Sequence, residues 1–581
     1  MEFDRRVQVR VHVTGADNTG FGSGYLVAPR LVLTAAHVLK RMAAPGGGAT
    51  VTVSQPDVGA GQFPAIVRWW RNDHVVDAAL IEVAETDAAG RPWPVPRSLA
   101  DLLTRPPQRY GHLVGTRPHP VTLTGFPRMQ KDPRDSRRLD EQLTGHIAPG
   151  TGALADRYEV SGTDPLPRAE TAVGGTPWSG LSGAAVLADD GLGEDLLCGV
   201  IRHDRQATGG TRLTATRSAD LIADDTFRAL LIEHTGWEPV LEPAELADLL
   251  APAIPGRDLD SPASLLRADA EAVRFHGRDS ELGDLHAWCT ADSAAISVRV
   301  LTGPGGQGKT RLARHLADTL GREGWATGHL RSDLNDHDTR TPDFTRLTTA
   351  LALLLVVDYA ETRPRLLRHL VTALHRTRHR VRLLLLARSD GPWRTDALNA
   401  LPSVRRLLVE APVTELSPLI PRSHPGEDRP TAFTAAARDL ARLLPRVPTL
   451  PDHDWDGLAA ALQPPDNLAH PRYDNVLTLQ MTALVTLLQH GPAPADTAPG
   501  ASIEEILLHH EERFWEDSAK TPAYKLGDLP TPTLGAAVAV AALCGAVDAD
   551  QADAVLRTLP SLPDHAAPGT AAWVKGLYPA D

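Results

Sequence analysis

The chain has 581 residues and a formal net charge of -13 at pH 7, so two to four domains are expected. That charge gives no global electrostatic reason to bind nucleic acid or an anionic membrane. Hydrophobic content of 42% and charged content of 23% exclude a disordered chain and indicate a globular one.

Along the chain, the first thirteen residues, MEFDRRVQVRVHV, contain no apolar stretch of signal-peptide length. Cys198, Cys289 and Cys544 are far apart and odd in number, outlining neither a disulfide framework nor a zinc site. Both points lead to the expectation of a cytoplasmic protein. Residues 1–235 read as short strands (VQVRVHV, GYLVAP, RLVLTAAHV, VTLTGFP, DLLCGVIRH) separated by Gly, Pro and Asp, which predicts an all-β domain. Prolines 239, 243, 252, 255 and 262 predict a Pro-rich linker over 236–270. Over 271–420 strands and helices alternate, predicting a parallel α/β domain. Residues 421–581 read as helical, with no assignable motif. The apolar run Leu534–Val547 is too short to span a bilayer and is read as a buried core helix. The expected fold class is therefore multidomain: an all-β double barrel, a central α/β domain and a mainly α region.

Within the first domain three segments occur in a telling order: LTAAHV with His37, VVDAALIEV with Asp77, and WSGLSGAAVL with Ser182. A nucleophile, a base that accepts its proton and a carboxylate that orients the base are what acyl transfer needs. The order His, Asp, Ser differs from that of subtilisin-like and α/β-hydrolase enzymes. GFGSGYLVAPRLVLTAAHVL, DAAL and GLSG resemble the corresponding signatures of trypsin-like (chymotrypsin-fold) serine proteases. The resemblance implies that His37 is the general base, Asp77 its orienting carboxylate and Ser182 the nucleophile. It implies an oxyanion hole made by the N–H groups of Gly180 and Ser182. It places the start of a specificity pocket near Thr176. Two departures stand out: Gly183-Ala184-Ala185 follows the serine where the family has a proline third, and no zymogen activation site is visible near the N-terminus.

In the second domain, Gly303-Pro304-Gly305-Gly306-Gln307-Gly308-Lys309-Thr310 matches G-x-x-x-x-G-K-[ST] in full. It lies between an apolar strand (AISVRVL) and a helix (KTRLARHLADTLG) for which Gly321 is the expected C-cap. Glycines let N–H groups face phosphate oxygens at a helix N-terminus. Lys309 reaches the β/γ-phosphates and Thr310 holds Mg²⁺ in such loops. The chain has only six lysines against 53 arginines, so a lysine at this position is informative. The same bias suggests a high-GC bacterial genome. Asp358, after the apolar run Leu353–Val357, is the expected second metal-binding acid. Tyr359 follows it directly, and the next acid is Glu361. FHGRDSEL with Arg278, and VRLLLLARSD with Arg388, resemble the F-x-G-R and sensor-arginine motifs of STAND-class signalling NTPases. The basic segment starting at Arg363 is read as an amphipathic helix with Leu366, Leu367, Leu370, Val371 and Leu374 inward.

The combined resemblance implies an ATP/ADP switch with Mg²⁺, set by Gly303, Gly305, Gly306, Gly308, Lys309, Thr310, Asp358, Arg278 and Arg388. It implies a protease effector acting on a protein or peptide substrate, and a homo-oligomer on activation, in bacterial signalling or antiviral defence. A winged helix or helical arm after residue 421 and a missing C-terminal sensor are further expectations. The alternative is an inactive protease fold that binds peptides on an ATP-dependent assembly switch.

Overall fold

A computed structural model describes residues 7–15, 19–40, 49–56, 61–130, 132, 134, 138–162, 178–204, 212–251, 259–291, 294–334, 342–375, 377, 379–396, 402–420, 425–492, 501–520, 524, 526–546 and 548–577. Thr176 lies outside these described residues.

Alternation builds the first barrel. Val9, Val11 and Val13 of β1 (Gln8–Thr14) all point into its core. Strands β2 (Thr19–Ala28), β3 (Leu31–Thr34), β4 (Thr50–Ser54), β5 (Phe63–Asn72) and β6 (Asp77–Val83) complete it in the closed order β1-β2-β3-β6-β5-β4. Gly24 is required by this closure, since a Cβ there would lie 2.7 Å from Val32 and 3.0 Å from Val11.

The second barrel uses β7 (Arg109–His112), β8 (His119–Gly125), β9 (Glu141–Ile147), β10 (Tyr158–Gly162), β11 (Ala185–Asp189), β12 (Asp195–Asp204) and β13 (Arg212–Arg217). The β11–β12 pairing closes β11-β8-β9-β10-β13-β12 into a ring, and β7 joins β12 in parallel. Ala185 opens β11 and pairs with Val200, so the loop after Ser182 enters its strand without a proline. Tyr25, Leu33, Leu80, Tyr110, Leu187 and Leu197 form a core shared by the barrels, closed by α1 (Ser218–Ile222) and α2 (Asp225–Thr235) through Leu221, Phe227 and Leu231.

The span expected as a linker is instead built into both neighbours. Strand β14 (Leu241–Pro243) adds in parallel to β7. Leu246, Leu249 and Leu250 then enter the core of the next domain, and Leu250 bridges to Leu330. Prolines end the helical options here but leave short extended and 3₁₀ turns free to pack.

That next domain is a five-stranded, all-parallel sheet in the order β16-β17-β18-β15-β19: β15 (Ile296–Thr302), β16 (Ala326–His329), β17 (Leu353–Val357), β18 (Val381–Ala387) and β19 (Val413–Glu415). Its strands are near-continuous apolar runs because both faces are covered. One face packs against α5 (Pro364–Leu374), whose five predicted apolar residues are all buried. The other packs against α3 (Asp279–Thr290) and α4 (Lys309–Arg322). Gly321 lies inside α4 rather than capping it; the helix runs on one residue and the positive φ falls at Gly324.

The remaining described helices form two cores. The first includes α8 (Pro425–Ala441), α9 (Trp455–Ala461) and α10 (Val476–His490). The second gathers around Trp515, Leu534 and Trp573, from α11 (Ile503–Ala519), α12 (Thr531–Cys544) and α14 (Ala567–Leu577). The expectation of a fully buried apolar helix is corrected: only Thr533, Leu534 and Ala537 of α12 are buried, and Leu543 is 85% exposed. Among the described residues, no helix is long and apolar enough to cross a membrane.

Candidate functional site

The end of β3 delivers the turn Ala36–Leu39, and β6 starts at Asp77 beside it. Asp77 Oδ2 lies 2.8 Å from His37 Nδ1, and Oδ1 accepts the His37 backbone N–H at 3.0 Å. One carboxylate thus fixes both the ring and the backbone that carries it. Asp77 is buried while the His37 side chain is 30% exposed. The Thr216 hydroxyl of β13 accepts the Asp77 N–H at 3.1 Å. Arg202 of β12 places Nε 3.9 Å from Asp77 Oδ2 and donates to the carbonyls of Asp73, His74 and Val75. Burial alone would raise the Asp77 carboxyl. The His37 hydrogen bonds and charge, with Arg202, outweigh it and hold Asp77 below the usual carboxylate value. Neither Thr216 nor Arg202 was singled out from sequence.

Ser182 stands on the turn before β11. Its carbonyl accepts the Ser23 N–H at 2.8 Å, tying the serine loop to β2. No hydrogen bond joins its Oγ to His37 Nε2 among those of the described residues; such contacts commonly tighten only when substrate is bound. In the same loop the N–H groups of Leu181, Gly183 and Ala184 have backbone acceptors, whereas those of Gly180 and Ser182 have none among the described residues. Two such donors, one on the serine itself and one two residues before it, are what a developing oxyanion requires.

At the start of the Gly-rich loop, Gly303 N–H donates to the carbonyl of Arg388, the residue after β18, at 3.3 Å. Gly303, Gly306 and Gly308 have φ of 149°, 76° and 84°, a region that disfavours side chains. Lys309 Nζ donates to Gly303 O at 2.6 Å and Pro304 O at 3.0 Å. Burial lowers Lys309 below the ordinary ammonium range; Asp358 and Glu361 oppose this and Arg388 adds to it. Thr310 Oγ1 donates to Asp358 Oδ2 at 2.6 Å. Glu361 Oε1 accepts the Arg388 N–H at 3.0 Å, while its Oε2 is buried without a partner among the described residues. Arg278 is buried, paired with Glu281 and donating to the carbonyls of Gln307 and Ser417. Gly305, Gly306, Gly308, Lys309, Thr310, Asp358, Arg278 and Arg388 all line one cavity of about 280 Å³.

The helical region contributes what sequence reading missed. Asn475 Nδ2 donates to Gly305 O at 2.8 Å and Leu477 N–H to Gly306 O at 3.2 Å. Gln307 Nε2 donates to Asp474 O at 3.0 Å. Asn475 is the N-cap of α10, and an Asn before an apolar helix carries no hint in sequence of a partner 170 residues away.

The family model described as the trypsin-like peptidase domain matches residues 22–192. No curated protein matches the chain. Solved structures similar to it include the Rv3671c protease from M. tuberculosis in its active form, at 17% identity over 41% of this chain and 84% of that one, with a TM-score of 0.24. Deg5 is 13% identical over 40% of this chain and 91% of its own, with a TM-score of 0.25. A Glu endopeptidase in complex with MPD is 13% identical over 39% and 89%, with a TM-score of 0.26. The matched segment contains His37, Asp77 and Ser182 and runs from within β2 to just past β11: residues 22–192 of this chain are similar to the trypsin-like peptidase domain.

Proposed function

We propose that the chain is a serine endopeptidase whose activity is governed by an ATP/ADP switch in its α/β domain. The observation that carries the protease part is the buried Asp77 holding both the ring and the backbone of His37, beside a serine turn with two unsatisfied N–H groups. In this reading Ser182 Oγ attacks the peptide carbonyl carbon and its proton passes to His37 Nε2. Negative charge develops on the carbonyl oxygen, facing Gly180 and Ser182 N–H. The C–N bond then breaks, the amine leaves with the proton from His37, and water hydrolyses the acyl-serine by the same route.

The nucleotide part is supported by the loop geometry. In this reading Lys309, which donates to loop carbonyls, would transfer those hydrogen bonds to phosphate oxygens, and the positive φ of the glycines would let N–H groups face the same oxygens. Thr310 and Asp358 would hold Mg²⁺. ATP, when bound, supplies the phosphate charge that differs between the two switch states; Arg278 and Arg388 line the cavity that would receive it. Cytoplasmic signalling or defence, with assembly into a homo-oligomer, is the role we infer from the pairing of a protease with such a loop.

The test is fluorophosphonate labelling of the full chain with ADP or ATP, alongside Ser182→Ala and Lys309→Ala. Labelling lost in Ser182→Ala, and dependent on nucleotide only when Lys309 is present, is the expected result. Labelling of the wild type that ignores nucleotide would overturn the switch; none in any nucleotide state would overturn the protease.

A further inference from the structure

Resting on the protease reading above, we infer that Arg138 is a positioning residue that sets the oxyanion-binding N–H of Gly180. The two peptide units flanking Gly180 are each anchored through their carbonyl. The Ser179 carbonyl accepts from Arg138 Nη1 and from the Arg128 N–H at 2.9 Å. The Gly180 carbonyl accepts from the Ser23 hydroxyl at 2.7 Å, and that hydroxyl in turn accepts the Phe126 N–H at 3.0 Å.

In a trans peptide the C=O and the following N–H point in opposite directions. Holding Ser179 O on Arg138, together with the Arg128 N–H, therefore directs Gly180 N–H the other way, leaving it without a backbone acceptor among the described residues. Rotating that peptide by half a turn would remove the donor and present a carbonyl to the same space.

The Arg138 guanidinium makes two further contacts. It lies 4.3 Å above the Phe21 ring and also reaches the Phe126 carbonyl at 3.4 Å. It crowds Gly180 so closely that a Cβ there would sit 1.9 Å from Arg138 Nη1 and 2.7 Å from Phe126 O. Gly180 also holds φ of 103°, which side chains rarely adopt. The glycine and the arginine are thus fitted to each other. The residue between Gly180 and Ser182 is the buried apolar Leu181, which lies against Gly125 and brings no charge to fix the loop. Arg138 supplies the cation from another segment.

The test uses the full chain with Arg138→Met and Arg138→Lys, the methionine keeping apolar cover over Phe21. The readouts are the second-order rate of Ser182 labelling by a fluorophosphonate, whose phosphoryl oxygen must enter the oxyanion hole, and the kcat and KM for p-nitrophenyl acetate. Arg138→Met is expected to lower the labelling rate and kcat at least tenfold, towards the ~10²–10³ that loss of one such donor costs. KM and the unfolding midpoint should stay unchanged, and the lysine variant should recover most of the rate. Equal labelling of wild type and Arg138→Met would overturn the inference. So would a loss that follows KM or the unfolding midpoint, which marks a structural role. Absence of Ser182-dependent labelling in the wild type itself would instead overturn the protease reading, and the inference with it.

Discussion

Asp77 carries the most consequential contacts of any single residue in the peptidase domain. It holds His37 through two bonds, and is held by Thr216 from one strand and Arg202 from another. An amide in its place keeps the shape but offers Nδ1 the wrong partner, so the ring takes the other tautomer. Asp77→Asn should therefore lower Ser182 labelling by about 10⁴ while changing the unfolding midpoint little; a loss below tenfold would mean that the pair does not orient the base. The meeting of His37 with Asp77 was legible because each sits in a short motif whose neighbours mark it. Thr216, Arg202 and Arg138 were not. They act across 139, 125 and 41 positions of sequence on backbone or carboxylate atoms, and arginine is so common in this chain that none of them stands out. Lys309 shows the reverse case, in which scarcity of a residue type makes one position readable.

Among the elements, strand β16 forms the edge where the segment after β14 meets the parallel sheet, and its His329 joins the two. The His329 carbonyl accepts the Ala251 N–H at 2.7 Å, while its ring Nε2 is buried with no partner among the described residues. Burial, with the charge of Arg314, lowers this histidine to about 4. Its ordinary value is near 6.5, so between pH 6.5 and 4 the unfolded chain binds the proton more readily. The stability this neutral ring contributes is complete above pH 6.5 and is lost as the pH falls toward 4. His12 and His379 are lowered in the same direction, also to about 4. We expect the denaturant midpoint to fall between pH 7 and pH 5, and to fall less in His329→Gln, by about 2 kcal/mol of stability. Parallel pH profiles for wild type and variant would refute this. Strands and helices of this kind were legible where they are periodic: the barrel strands, α4 and α5 follow their apolar patterns. The segment from 236 to 270 was not, because its prolines signal a break in helix and say nothing about edge pairing. α12 misled for a related reason: alanine is apolar enough to read as buried yet small enough to stand exposed.

At the scale of the whole molecule, the question is whether a nucleotide in the α/β domain can be felt by the peptidase domain. The segment 241–251 gives a physical route. At one end Glu242 and Asp190 enclose Arg109, all three buried, with Arg109 at 2.6 Å from each. Breaking such a cluster on one side leaves an uncompensated charge and costs about 3–5 kcal/mol. At the other end Leu250 fills the space above Gly328, where a Cβ would lie 2.5 Å from the leucine, and pairs with Leu330. The seven residues between Glu242 and Leu250 therefore run from one core into the other, Ala244 in the first and Leu246 and Leu249 in the second, and loosening either end exposes apolar surface of the other. A ligand bound only by the folded α/β domain adds about 2.7 kcal/mol at a hundredfold excess over its Kd. In the wild type that gain should delay loss of the peptidase domain as well, read as heat inactivation of Ser182 labelling with and without Mg²⁺ and ADP. In Leu250→Ala, which removes the wedge at a cost of about 2–5 kcal/mol, the α/β domain should still be protected by nucleotide but the labelling should no longer follow. If nucleotide protects labelling equally in both proteins, the two domains communicate by another surface; if it protects labelling in neither, the segment joins them without coupling them.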